Sequence, residues 1–237
     1  MSRWVRRRRP GTLGLLALMA VAWAALLAAY ASGHGDWFDH DRLARGLAGW
    51  TVLAGFALMA LAMMGPSCLP LAGYVSANTL RPRPAVAWFF ACYLLPWLAF
   101  MLAFTAADTT THALAGEGTP AVTGAVAAAA FAAAAAWQLS RRKRNFVLAC
   151  RSVDLLPARG GAACRRLGLR QGAACVGACG PMMLATMAAP YGRPLWMALL
   201  AVLTYLEKAA RYRRRLARPS AAVLVAVGAA YLAVGVR

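Results

Sequence analysis

The segment Gly168–Pro190, GLRQGAACVGACGPMMLATMAAP, decides how the rest of the 237-residue chain is read. It opens on a basic stretch and carries no charge after Arg170. Cys175 and Cys179 are four residues apart, so on a helix they share one face, and Met183 and Met187 continue the stripe. Two thiols and a thioether form a soft donor set, suited to Cu(I) or Zn(II) rather than to Mg(II) or Ca(II). A second reading uses the same residues. Cysteine also behaves as a small hydrophobe, and with Ala173, Ala174, Gly177, Ala178 and Gly180 it makes a face for close helix packing. Pro181 is expected to kink such a helix. Spacing alone leaves both readings open.

The surrounding chain points to a membrane. Hydrophobic residues make up 62% of it, and its mean hydropathy is +0.57. That leaves too few polar residues to cover a soluble domain. Seven segments approach the roughly 20 apolar residues a spanning helix needs: Thr12–Ala31, Leu47–Met64, Ala85–Ala107, Ala121–Leu139, Gln171–Ala189, Leu195–Glu207 and Ser220–Val236. The expected fold is all-α, a polytopic transmembrane helix bundle of about seven helices with a cytoplasmic N-terminus. The sixth segment is short. The fourth is almost pure alanine and reads as an inner helix. Thr12–Ala31 is longer than a usual signal-peptide core and reads as a retained helix. Residues 1–46 form a basic segment, a first helix and an external loop, and residues 47–237 form a six-helix membrane domain.

Charge gives the orientation. The net charge is +19, and the arginines cluster at the ends of apolar runs. That placement follows the positive-inside rule and argues against nucleic acid as a partner. If all seven segments cross, every one of the 26 Lys and Arg residues except Arg42, Arg45, Arg193 and Arg237 falls on the cytoplasmic side. All six cysteines then lie at or near that side, where the reducing compartment keeps them as thiols. The expected location is the bacterial cytoplasmic membrane, with the lipid bilayer as the constant partner.

Four other stretches carry candidate chemistry. In ALMALAMMGPSCLP, Met59 and Met63 share a face, and Gly65-Pro66 reads as a helix break of the kind that lines sites in membrane proteins. In the connection Ser140–Arg170, the run RRKR is expected at the lipid headgroups, and FVLACRSVDLL as a short interfacial helix. Glu207 either pairs with Lys208 or Arg211 or turns inward as a counter-ion. Outside, His34 to Asp41 gathers two imidazoles and three carboxylates, a pattern most often met as a solvated loop. Hydrolase and nucleotide-binding signatures are lacking, and no His shares a side with any Cys as its base, so an enzyme is not expected.

Several short pieces in order form a wider resemblance: Ala62-Met63-Met64-Gly65-Pro66-Ser67, Tyr93-Leu94-Leu95-Pro96-Trp97, Lys143 followed by Cys150-Arg151-Ser152, Gly168-Leu169-Arg170-Gln171-Gly172, Cys175-Val176-Gly177-Ala178-Cys179 and Leu206-Glu207-Lys208. From about Trp50 to Val236 the chain resembles the bacterial domain-of-unknown-function 2182 family of predicted metal-binding integral membrane proteins. The resemblance implies copper handling. The family pattern has Cys where Phe146 stands, His where Gln171 stands and Cys where Ala178 stands, so three potential ligands are replaced here. The remaining thiols suit linear or trigonal Cu(I) better than tetrahedral Zn(II).

The leading expectation is therefore a membrane protein that binds a soft metal, Cu(I), through Cys175 and Cys179, with Cys150, Met183 and Met63 as candidate third ligands. The rival is a structural subunit or assembly factor of a membrane complex. In that reading no metal binds, and the Gly/Ala/Cys face packs against a partner helix.

Overall fold

The computed structural model describes residues 10–32, 49–115, 119–150, 152, 161–188, 193–208 and 213–235. Among these residues every regular element is an α-helix and no strand occurs. Eight helices are described: α1 Pro10–Ala31, α2 Gly49–Asn78, α3 Pro82–Ala115, α4 Pro120–Leu139, α5 Arg141–Ala149, α6 Gly161–Met187, α7 Arg193–Lys208 and α8 Arg213–Gly235. The His34 to Asp41 cluster and most of the stretch after Cys150 lie outside the described residues.

Five helices are long and apolar enough to cross a membrane, over Gly14–Ala31, Ala54–Asn78, Pro82–Ala107, Ala121–Leu139 and Leu216–Val234. The chain thus has the make-up of a multi-pass membrane protein. The expected fifth and sixth spans are helical but are not among these five. The 16 residues of α7 rise only about 24 Å, against a hydrocarbon core of about 30 Å. In the expected fifth span, Gln171, Gly172, Gly177, Gly180 and Pro181 dilute the apolar content.

The described chain divides into two compact units. The first comprises Met1–Met101 and Ser152–Ala173, and the second Leu102–Arg151 and Ala174–Arg237. Helix α6 therefore contributes its first half to one unit and its second half to the other.

In the first unit α1 lies against α2. A Cβ on Gly65 would meet the Met19 side chain at 2.6 Å, so the missing side chain admits a methionine of α1. The expected break at Gly65-Pro66 does not occur: α2 runs through Pro66 and Pro70. Proline has no N–H, so Pro66 leaves the carbonyl of Ala62, four residues back, without its helical donor. The Trp23 indole supplies one, donating to Ala62 O at 3.0 Å. A partner from another helix thus satisfies the group that would otherwise favour a break. The first half of α6 approaches α3 closely. Cβ atoms on Gly168 and Gly172 would lie 2.3 and 2.4 Å from the carbonyl oxygens of Phe89 and Tyr93. Only glycine lets two backbones meet at this separation.

In the second unit α4 and α8 pack along their length. The alanine-rich α4 is not an inner helix. It buries one stripe, with Gly124, Ala127, Phe131, Ala134, Ala135 and Gln138, and leaves much of its remaining surface exposed. Phe131 stacks on Tyr231 with ring centroids 5.6 Å apart. Ser140 separates α4 from α5. Its extended backbone ends α4, its N–H reaches Trp137 O, and its hydroxyl accepts from the Lys143 N–H to cap α5. The helix thus begins at Arg141, five residues before the expected interfacial one, and closes on Cys150.

Candidate metal centre

Three sulfurs of the second unit come together. Cys175 and Cys179 face the same way from consecutive turns of α6, and both are fully enclosed, at 0% and 2% exposure. Cys150, the residue that caps α5, hydrogen-bonds Cys175. Cys175 in turn hydrogen-bonds Cys179. The result is a line of thiols, Cys150–Cys175–Cys179. None of the six cysteines forms a disulfide. Among the described residues no three His, Cys, Asp or Glu side chains are already disposed as a cage around one point. A linear two-sulfur site does not need such a cage.

The stripe that brings Cys150 inward is local. Lys143, Val147 and Cys150 recur at helical spacing and are the buried residues of this stretch, whereas Arg141, Arg142 and Arg144 are exposed. The run RRKR therefore does not lie wholly at a surface. Lys143 is 3% exposed. Its ammonium meets Glu207 Oε2 at 2.6 Å. Gln138 bridges the pair, its amide donating to Glu207 and its carbonyl accepting from Lys143. Glu207 turns inward, as one of its two readings had it, with Lys143 as its partner. A buried pair that lost one member would leave the other uncompensated, a cost of about 3–5 kcal/mol.

Lys208, the next residue, points at the sulfurs. Its Nζ donates to Cys175 Sγ at 3.0 Å. An ammonium beside a sulfur favours the thiolate, the form that binds metal. Cys150 differs. Its hydrogen bond to Cys175 and then its burial push its thiol well above the ordinary range, so it keeps its proton at neutral pH.

The glycine between the two cysteines is also covered from within the chain. A Cβ on Gly177 would meet the Phe146 ring at 2.5 Å. Trp137 stacks on Phe146 with centroids 6.3 Å apart. The Trp137 indole donates to Gly177 O at 3.1 Å. Pro181, four residues on, cannot donate to that carbonyl, so this repeats the arrangement of Trp23, Ala62 and Pro66. The Gly/Ala/Cys face expected to receive a partner helix is thus occupied at Gly177 by Phe146.

Met183 and Met63 are the other candidate ligands. Met183 lies one turn beyond Cys179, 1% exposed. The Thr186 hydroxyl donates to its carbonyl. Met63 is equally buried but belongs to the first unit, with Met59, Met64 and Cys68.

Residues 53–231 match PpoB2, described as a copper chaperone family. The chain belongs to this copper chaperone family. The copper implied by the resemblance in sequence is met at that level. No curated protein and no solved structure matches the chain. The local sequence pattern did not give the Lys143–Gln138–Glu207 cluster or the Lys208 contact. The signals were present, since Lys143 falls in register with Val147 and Cys150, and Glu207-Lys208 recurs among the family-like pieces. Their partners lie 64 and 33 residues away, a distance no local pattern reports.

Proposed function

We propose that the chain binds Cu(I) through Cys175 and Cys179 and hands it on, as a carrier and not as an enzyme. The observation that carries the reading is the enclosed line of three thiols, touched by an ammonium, in a member of a copper chaperone family. Two thiolates satisfy linear Cu(I), and enclosure keeps water and oxidants from it. Cys150 is the nearest third ligand, and Met183 and Met63 are further thioether candidates. We further read the protein as crossing the bacterial cytoplasmic membrane seven times, N-terminus inside, with the thiols toward the cytoplasm and residues 47–237 as the membrane domain. In this reading α6 and α7 cross as packed helices, and the matched family and the resembled one describe the same group.

Copper measured in protein purified without oxygen tests the site. The expected result is stoichiometric Cu(I) in the native chain and its loss in the Cys175→Ser/Cys179→Ser variant. Equal copper in both would leave the rival reading, in which the thiols are packing groups of a structural subunit.

A further inference from the structure

A cleft of about 200 Å³ lies between α7 and α8, within the second unit. Residues 209–212 connect the two helices, and the Trp196 indole near the start of α7 donates to the Tyr231 hydroxyl near the end of α8 at 2.9 Å. The helices are therefore antiparallel. Each lines the cleft with one stripe at helical spacing: Trp196, Leu199 and Leu203 from α7, and Leu216, Val223 and Leu224 from α8. The polar side chains in the walls have spent their donors. Ser220 donates to Leu216 O at 2.5 Å, Thr186 to Met183 O at 2.7 Å, and Trp196 to Tyr231. No side-chain donor is left for a polar ligand, so the space suits hydrocarbon. A dry cavity of about 150 Å³ holds one benzene ring. This cleft therefore takes a slender chain and not a helix, which is about 10–12 Å wide. From Leu216 to Leu224 α8 rises about 12 Å, most of the roughly 15 Å that one leaflet contributes to the hydrocarbon core.

The two ends of the cleft differ. One end is aromatic, with Phe131 5.8 Å from Trp196 and stacked on Tyr231. The other end, at Leu216 and Pro219, adjoins the exposed Arg218. From Lys208 to Arg218 the sequence carries six basic residues and no acid, so this end attracts an anion. We propose that the cleft holds one acyl chain of an anionic phospholipid, with the phosphate at the Arg218 end of α8. The inference rests on the chain crossing a membrane and is independent of the copper site. Hydrocarbon walls accept the chain, and the basic end selects the headgroup. The lipid then fills the space between α8 and α7, the helix whose last residues, Glu207 and Lys208, reach Lys143 and Cys175.

The test is native mass spectrometry of the full-length protein, purified in detergent and given equal amounts of phosphatidylglycerol and phosphatidylcholine with the same acyl chains. The native chain is expected to retain one lipid, with phosphatidylglycerol favoured roughly tenfold or more. Val223→Trp fills the cleft from an exposed position and should abolish retention of both lipids. Arg218→Gln should still retain one lipid but lose about fivefold of the preference, the share of one basic residue at an anionic surface. Equal retention of the two lipids by the native chain, or a lipid count unchanged by Val223→Trp, would overturn the inference. A lipid-free dimer that Val223→Trp splits would assign the cleft to a second copy and overturn it as well. If Val223→Trp does not fold, Arg218→Gln decides, and an unaltered preference in that variant would sink the proposal. Failure of the membrane reading is separately visible, as protein that does not float with phosphatidylglycerol vesicles in a density gradient. Protein that floats but retains no lipid removes only the cleft site.

Discussion

From Gly161 to Ala173, α6 belongs to the first unit and sets its backbone against α3 at Gly168 and Gly172. From Ala174 to Met187 the same helix belongs to the second unit and presents two enclosed thiols to Cys150 and Lys208. Small residues, cysteine and glycine occur in both halves, although the three arginines of the helix all lie in the first. The difference lies in what surrounds them. Cys164, in the first half, is buried, and burial pushes its thiol up. Cys175 has an ammonium in hydrogen-bond contact and a second thiol on either side. A cysteine on a helix gains chemistry from the groups around it more than from its own burial.

The comparison can be broken most severely at the polar cluster behind the thiols. Glu207→Leu strands the Lys143 ammonium and is expected to destabilise the protein by about 3–5 kcal/mol. Adding Lys143→Met should recover most of that loss, because an apolar replacement of a whole buried pair is often near neutral. Thermal unfolding followed by size-exclusion chromatography in detergent measures both variants.

The first half should respond differently. Gly172→Ala forces a methyl to within 2.4 Å of the Tyr93 carbonyl and should cost roughly 1–3 kcal/mol as overpacking. Copper per folded molecule should be unchanged. A fall in copper stoichiometry at unaltered stability would show that the two halves are not chemically distinct.

The smallest effect is expected at Cys150. Its thiol lies above the ordinary range, so it stays protonated at neutral pH and must release a proton before it can bind metal as a thiolate. Cys150→Ser should therefore change Cu(I) affinity little at pH 7. The gap between native and variant protein should widen as the pH rises, because deprotonation then becomes less costly. A large gap at pH 6 that closes on raising the pH would contradict this.

Much of the fold was legible in the sequence because apolar length and helical period are local properties. The helices containing the five apolar spans, and the shared face of Cys175 and Cys179, follow from them. Three features were not legible. The run RRKR looks like one charged block, yet the helical period places Lys143 inward with Val147 and Cys150 and its neighbours outward. Gly65-Pro66 looks like a break, yet a donor from Trp23, 39 residues away, keeps the helix whole. Glu207 has two arginine- or lysine-bearing neighbours in sequence, yet its partner is on α5. In each case a contact between elements overrides what the neighbouring residues suggest.

The indole of Trp137 has one more consequence. It is fixed to the carbonyl of Gly177, midway along the chain between Cys175 and Cys179, and held flat by Phe146. A light-absorbing ring of set position and orientation therefore sits at the turn of helix that bears both sulfurs. Under the proposed function, filling or emptying those sulfurs would alter the surroundings of a natural fluorophore, and the change in its emission would report metal loading with no label to attach.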